Sequence, residues 1–311
     1  MNGVLVWLIY FHSWSSMGRY AQLMMAFAIY ESIFSILDIV VAPTIMNGNY
    51  TLVVIHGGRI IDYSSQESGQ LILTIFGGVF LMGCPMLATH YIYRYLLIIG
   101  SSKLRYFSTK RCIALWLCGC LSIGICVFLI CQLLLYPDEM FRNQISDQFY
   151  ARFKTKIDDV AFIGAQFWVK DEFGCFQPRL RFFIGMGFCI NLILITLSCI
   201  LFSAINITQA LYSVSQVAMS QQTRNLQKQL FVALLIQTLI PLTLNYLPTG
   251  IFYILPMIPL ERSISSSIDI SITSAIFPWL DPIAIIFIIH DYRKAVLSKF
   301  RINIVSVSTF G

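Results

Sequence analysis

Apolar positions in this chain fall in long unbroken runs rather than in the alternation of a strand or the stripe of a surface helix. Six runs reach spanning length, over residues 20–46, 71–99, 113–135, 182–211, 230–257 and 266–289. Crossing roughly 30 Å of hydrocarbon as a helix takes about 20 apolar residues. Inside lipid each backbone amide must bond within its own segment, which favours helices. A seventh run over 2–12 is only partial, since about 12 residues at 1.5 Å each reach about 18 Å. Three readings fit it: a signal peptide, a short interfacial helix, or the inner half of a first span. No basic stretch precedes it and no small-residue cleavage site follows. We therefore expect a first helix truncated at its N-terminus.

Composition supports the same class. Of the 311 residues 57% are apolar and 12% charged, against about 25% charged in a soluble domain. A β-barrel is excluded because its strands would alternate apolar and polar positions. The expected fold is all-α: a polytopic membrane seven-helix bundle forming one domain over 1–311, with a cytoplasmic tail over 291–311.

Charge then orients the bundle, because cytoplasmic loops carry the excess of Lys and Arg. With the 12–19 turn inside, the inner segments hold twelve basic residues against one acid, Asp291. The outer segments hold nine basic residues and eleven acids, most of them in the long loop after the fourth span. The N-terminus is therefore expected outside and the C-terminus inside. Asn49-Tyr50-Thr51 is a glycosylation pattern on the outer side, which makes Asn49 a candidate acceptor. Cys175 alone among the nine cysteines lies in a clearly external segment; the others sit mid-helix, where free cysteine acts as a small apolar residue. Residues 69–75 contain no cysteine, so a disulfide from Cys175 to the third helix is not supported. The long loop, about 45 residues, must be ordered another way or be mobile. No Cys or His cluster points to a metal, and no cofactor is expected.

Charged groups in hydrocarbon cost at least ~2.5–3.5 kcal/mol on insertion scales, so each is a functional candidate. Glu31 and Asp38 lie seven apart on one helix face, and Asp281 precedes Pro282 in the last span. A bundle turns all three inward, as a polar cluster that switches or binds a cation, or as a structural polar core. Neighbouring carboxylates there resist joint ionisation. Arg94, in Tyr93-Arg94-Tyr95, has two readings. It is a headgroup anchor whose long side chain snorkels outward, or a cationic contact for a cytoplasmic partner. Lys103, Arg105, Lys110 and Arg111 follow without an acid, a patch suited to anionic lipid or an acidic protein surface. In the sixth span Pro241, Pro248 and Pro256 recur every seven or eight residues, and each removes a helix hydrogen bond and bends the helix. Gly77-Gly78 allows close helix approach. Phe76, Phe80, Tyr246, Phe252 and Tyr253 fall in the outer or middle membrane, where an aromatic-lined cavity suits a small, greasy ligand.

Several stretches are similar to one family, the nematode seven-transmembrane chemoreceptors of the Str class, the serpentine receptors. They are Gly18-Arg19-Tyr20 with Leu23-Met24 and Phe27-Ala28, His90 to Tyr95, Leu226-Gln227 through Pro241, and Tyr246-Leu247-Pro248. Leu280-Asp281-Pro282 and Asp291-Tyr292-Arg293 complete the set. The resemblance implies an olfactory-type receptor in the plasma membrane of sensory cilia. It would bind an odorant or other chemical cue and act on a heterotrimeric G protein. It places Tyr93-Arg94-Tyr95 at the receptor triplet and Asp281-Pro282 at the last-helix Asp-Pro element. With the basic Lys103, Arg105 and Lys228 the former make the expected G-protein face, and with Glu31, Asp38, Pro241 and Pro248 the latter make the expected activating core. Tyr93 replaces the acid of the family triplet, and Ile285 stands where a tyrosine is expected three residues past Pro282. The family's first helix carries more residues before an Asn like Asn2. A transporter often shows inverted repeats, and none is visible between the halves. The four histidines, His12, His56, His90 and His290, are scattered, which argues against an enzyme. A membrane transporter, as runner-up, and a ligand-gated channel subunit are the alternatives, and nothing points to nucleic acid.

Overall fold

The computed structural model describes residues 1–12, 19–48, 50–57, 66–107, 109–171, 173–213, 221–259, 266–268 and 270–298. Among the described residues five helices are long and apolar enough to cross a membrane: Arg19–Val41, Gln66–Ile98, Lys110–Leu133, Leu180–Leu211 and Thr223–Met257. Two shorter apolar stretches, Asn2–Phe11 and Pro278–Ile288, complete a seven-helix bundle. In chain order the bundle helices are α1 (Asn2–His12), α2 (Arg19–Val41), α3 (Gln66–Ile98), α4 (Lys110–Leu133), α6 (Leu180–Ser213), α7 (Gln221–Pro241) continued by α8 (Leu247–Ile254), and α9 (Ile270–Ile288). A further helix, α5 (Glu139–Phe153), lies in the loop after α4. The outward faces are apolar: Leu115 and Leu133 are each 72% exposed and Ile195 is 67% exposed. Such a surface would drive association in water, whereas hydrocarbon solvates it.

The partial first run is helical and is held in the bundle. Leu5, Leu8 and Ile9 are buried in a cluster with Tyr20, Tyr93, Phe107, Leu230, Ile289 and Tyr292. The expected second run, 20–46, is shorter than read. Its helix stops at Val41, Ala42 takes a left-handed φ of 42°, and Pro43 disfavours helix in the residue before it. Beyond Pro43 the chain forms β1 (Thr44–Gly48) and β2 (Thr51–Ile55), a hairpin with Gly48 opposite Thr51. The start of the last run is also corrected, because Ser266–Ile268 is strand β6 and the helix begins at Ile270.

The described residues of the long loop form defined elements. Asp138 caps α5 by accepting from the Phe141 amide at 3.0 Å. Strand β3 (Phe162–Gln166) follows, then the β4–β5 hairpin (Trp168–Lys170 and Phe176–Pro178). Strands β3, β2, β1 and β6 form one antiparallel sheet in that order across one end of the bundle. Side chains stitch the sheet to the helices: Gln66 donates to the Val160 carbonyl at 3.0 Å and Gln70 to the Phe162 carbonyl at 3.3 Å. Asn47 of β1 donates to the Phe252 carbonyl at 2.8 Å.

The sixth span bends differently from the simple proline series expected. α7 ends at Pro241, a π-helical turn runs over Leu242–Tyr246, and α8 restarts with Pro248 in its first turn. The backbone is already helical at Tyr246, so Pro248 removes one further bond from a continuing span. Pro256 lies in the 3-10 turn Leu255–Met257 that closes the span. The irregular stretch where the span can bend therefore runs from Pro241 through the π turn to Pro248. Gly78 of α3 packs on Gly124 of α4 so closely that an added Cβ would stand 2.7 Å from the Gly124 carbonyl oxygen.

Candidate functional site

Beneath the sheet lies a cavity of about 70 Å³. Ile45, Leu52 and Val54 of the hairpin and Ile163 and Gly164 of β3 roof it, while Phe76 and Phe80 of α3, Met186 and Cys189 of α6, Asn245 of the π turn, and Thr249 and Tyr253 of α8 line its walls. Of the five aromatics expected around a ligand, Phe76, Phe80 and Tyr253 line it. Tyr246 packs behind, its ring centroid 5.4 Å from that of Phe80. Phe252 is buried and its carbonyl holds the sheet. Sequence reasoning missed the roof and the polar pair Asn245 and Thr249. The signal for the roof was present: Thr51-Leu52-Val53-Val54-Ile55 is the β-branched pattern of a strand.

Below the cavity is a buried polar layer. Glu31 and Asp281 are each 1% exposed and are neighbours across α2 and α9. Gln237 of α7 donates to Asp281 Oδ2 at 3.0 Å. Asp38, expected in the same cluster, is buried two turns along α2 and joins neither. Tyr91 and Thr238 share a 2.9 Å hydroxyl contact between α3 and α7. Among the described residues no three His, Cys, Asp or Glu side chains could hold a metal ion.

At the opposite end from the sheet stands Arg94, and the headgroup-anchor reading is corrected there. Its side chain does not snorkel but turns into the bundle at 1% exposure. The guanidinium lies 4.0 Å from the ring centroid of Tyr20 and donates to Gln227 Oε1 of α7. A cation held between helices needs such partners, since removing it from water costs several kcal/mol in effective terms. Tyr93 is buried too, stacked on Tyr20 at 5.6 Å and edge-on to Phe107 at 5.2 Å. Tyr95 is half-buried with its ring 6.3 Å from Phe202 of α6. Of the six residues expected to face a partner, only Lys103, Arg105 and Lys228 are exposed.

The sheet end has its own charge centre. Asp138 accepts from Arg181 Nη2 at 2.8 Å and from Arg179 Nη1 at 3.3 Å. Partial burial pushes its carboxyl up, but the bonds from Arg179 and the Phe141 amide, with both guanidiniums, hold it below the usual carboxylate range. Burial pushes the His56 imidazole down from its ordinary value, partly opposed by a backbone hydrogen bond. Cys175 is exposed with a free thiol. Asn49 lies outside the described residues.

The arrangement is a small cavity at one end, a bent helix beside it, and a buried arginine at the other end. Residues 1–297 match the family described as serpentine type 7TM GPCR chemoreceptor Str. The chain is 28% identical over 290 residues to a "Serpentine receptor class r-10" of Caenorhabditis briggsae, covering 92% of this chain and 82% of that one. It is 26% identical over 302 residues to "G-protein coupled receptor str-217" of Caenorhabditis elegans, covering 94% and 84%. Squid rhodopsin shares the fold, with a TM-score of 0.53 and 14% identity over 96% of this chain and 75% of that one. These relatives are receptors and not enzymes. The chain belongs to the Str class of serpentine seven-transmembrane chemoreceptors, multi-pass proteins of the membrane.

Proposed function

We propose that the protein is a chemosensory receptor whose cavity beneath the sheet takes a small external chemical cue and whose Arg94 end activates a heterotrimeric G protein. The N-terminus and the sheet face outside and the C-terminus lies in the cytoplasm of a sensory cilium, in keeping with the charge count. One observation carries the reading: a single bent element touches both ends. Asn245, Thr249 and Tyr253 meet the cavity, and Gln227 on the same span holds Arg94. Between them lie Pro241 and the π turn, where the helix is least constrained.

The cavity also limits the ligand. A cavity of about 150 Å³ accommodates benzene, so about 70 Å³ suits a molecule of few heavy atoms. Its largely apolar walls suit an odorant-like compound with little polarity. Displacement of α8 by such a ligand swings α7, releases Arg94 from Gln227 and opens a basic face with Lys103, Arg105 and Lys228. Asp281, Gln237 and Glu31 link α9, α7 and α2 along that path.

The test is to express the chain with a panel of G proteins and record activation against small volatile compounds. Activation that is lost with Tyr253→Ala, at unchanged surface level, supports the reading. Surface protein that carries a ligand-dependent current and activates no G protein refutes it in favour of a channel. An epitope at the C-terminus stained in intact cells would refute the sidedness alone.

A further inference from the structure

A second opening lies on the flank of the bundle, and it shares no lining residue with the cavity. It is a cleft of about 500 Å³ between α3, α4 and α6, walled by Ile92, Tyr106, Leu115, Trp116 and Ile195. The stripe Cys112, Leu115, Trp116, Gly119 and Ile123 of α4 forms one side. From Cys112 to Ile123 is about 16 Å at 1.5 Å per residue, close to half of a ~30 Å hydrocarbon core. The cleft thus begins at the loop level and ends near mid-membrane. Its two threonine hydroxyls are engaged: Thr89 donates to the Pro85 carbonyl at 2.8 Å and Thr196 to the Leu192 carbonyl at 2.8 Å. Nothing deep in it asks for a polar ligand, so its interior fits an acyl chain.

The mouth is different. Arg105 has its guanidinium 5.3 Å from the ring centroid of Tyr106, which lines the cleft. Lys110 and Arg111 are exposed in the first turn of α4, at the level of the mouth although not among its walls, with no acid in that turn. Cations are unfavourable at the positive end of a helix, and an anion placed there relieves them. Lipid tails already sit in an apolar solvent, so chain burial alone gives little selectivity. The charge at the mouth supplies it.

We propose that this cleft binds one anionic phospholipid of the cytoplasmic leaflet, its chain along α4 and its headgroup at Lys110 and Arg111. The leaflet assignment rests on the sidedness proposed above, whereas the binding itself does not. The site is separate from the ligand cavity and from the Arg94 contacts.

The experiment is native mass spectrometry of the purified full chain in mild detergent. Phosphatidylserine and phosphatidylcholine with identical chains are supplied in equal amounts, which removes sidedness from the measurement. The expected phosphatidylserine excess is about tenfold or more, the scale two basic side chains give near an anionic surface. K110Q/R111Q should bring the ratio near one while total bound lipid persists. Gly119 has open space around an added Cβ, so Gly119→Phe should fill the cleft and remove both lipids. If that variant fails to fold, Leu115→Trp serves in its place. Equal binding of the two lipids by the unaltered chain overturns the proposal, as does a preference unmoved by K110Q/R111Q. Displacement by soluble glycerophosphoserine would mark a free-anion site, and displacement by a sterol a sterol site; either overturns it.

Discussion

Arg94 and Gln227 join α3 to α7 at the end of the bundle away from the sheet, the guanidinium donating to the amide oxygen. The acceptor is neutral, so no charge pair forms, and the face of Tyr20 supplies the remaining attraction for the cation. A cation over an aromatic face is worth about 2 kcal/mol or more when desolvated. Two modest contacts thus hold a charge that would otherwise favour water, and they are the latch in the proposed activation.

Gln227→Ala should therefore raise ligand-independent activity. A hydrogen bond to a charged group contributes about 1.5–3 kcal/mol, so the open population should rise roughly tenfold or more. Basal nucleotide exchange on membranes with matched receptor levels measures this. A basal rate equal to or below that of the unaltered chain would remove the latch role.

Cys189→Phe should abolish the ligand response without removing the protein from the surface. Cys189 lines a cavity of about 70 Å³, and a phenyl ring there occupies most of the space. Overpacking costs about 1–3 kcal/mol, a loss visible as a lower melting temperature. A retained response of normal potency would place the ligand elsewhere.

Gly78→Val should destabilise far more than Gly77→Ala. At Gly78 an added Cβ meets the Gly124 carbonyl at 2.7 Å, whereas at Gly77 the nearest atom is the Cys131 sulfur at 3.4 Å. Forcing α3 from α4 costs about 1–3 kcal/mol. Thermal unfolding in detergent separates the two, and equal melting temperatures would contradict the packing.

Acid should weaken the sheet end through Asp138. Its folded carboxyl titrates below the ordinary 3.8, so its stabilisation is complete above that value and is lost as pH falls through the lower folded one. Melting temperature followed from pH 6 to pH 3 should show a drop below about pH 4. The Asp138→Asn variant, which keeps the cap, should show a smaller one. Asp138→Ala should also lose the α5 cap, about 1 kcal/mol. Identical pH profiles for Asp138→Asn and the unaltered chain would exclude the ion pairs as the cause.

Legibility varied with the range of the interaction. Phe76, Phe80 and Tyr253 were readable as cavity candidates because helical position and aromatic character are local properties. Asn245 and Thr249 were not, since the π turn shifts the face they present. The hairpin was only partly legible: Ile45 and Met46 continue the apolar run of α2, while Pro43, Asn47-Gly48 and the β-branched Thr51 to Ile55 mark the change from helix to strand. Arg94 was read as exposed or as partner-facing because its spacing places it near the membrane boundary, while its burial depends on Tyr20 and Gln227, 74 residues before it and 133 after it.

The sequence alone determined a membrane bundle of about seven helices, because transfer of apolar runs into lipid is a sum over local residues and needs no partner. It also marked Glu31, Asp38, Asp281 and Arg94 as costly to bury. Tertiary structure decided which of them meet. Glu31 and Asp281 come together across α2 and α9 while Asp38 stands apart, and Arg94 points inward. It also raised a sheet from three separate loops over the cavity, since strand pairing is set by distant backbone partners that no single segment encodes.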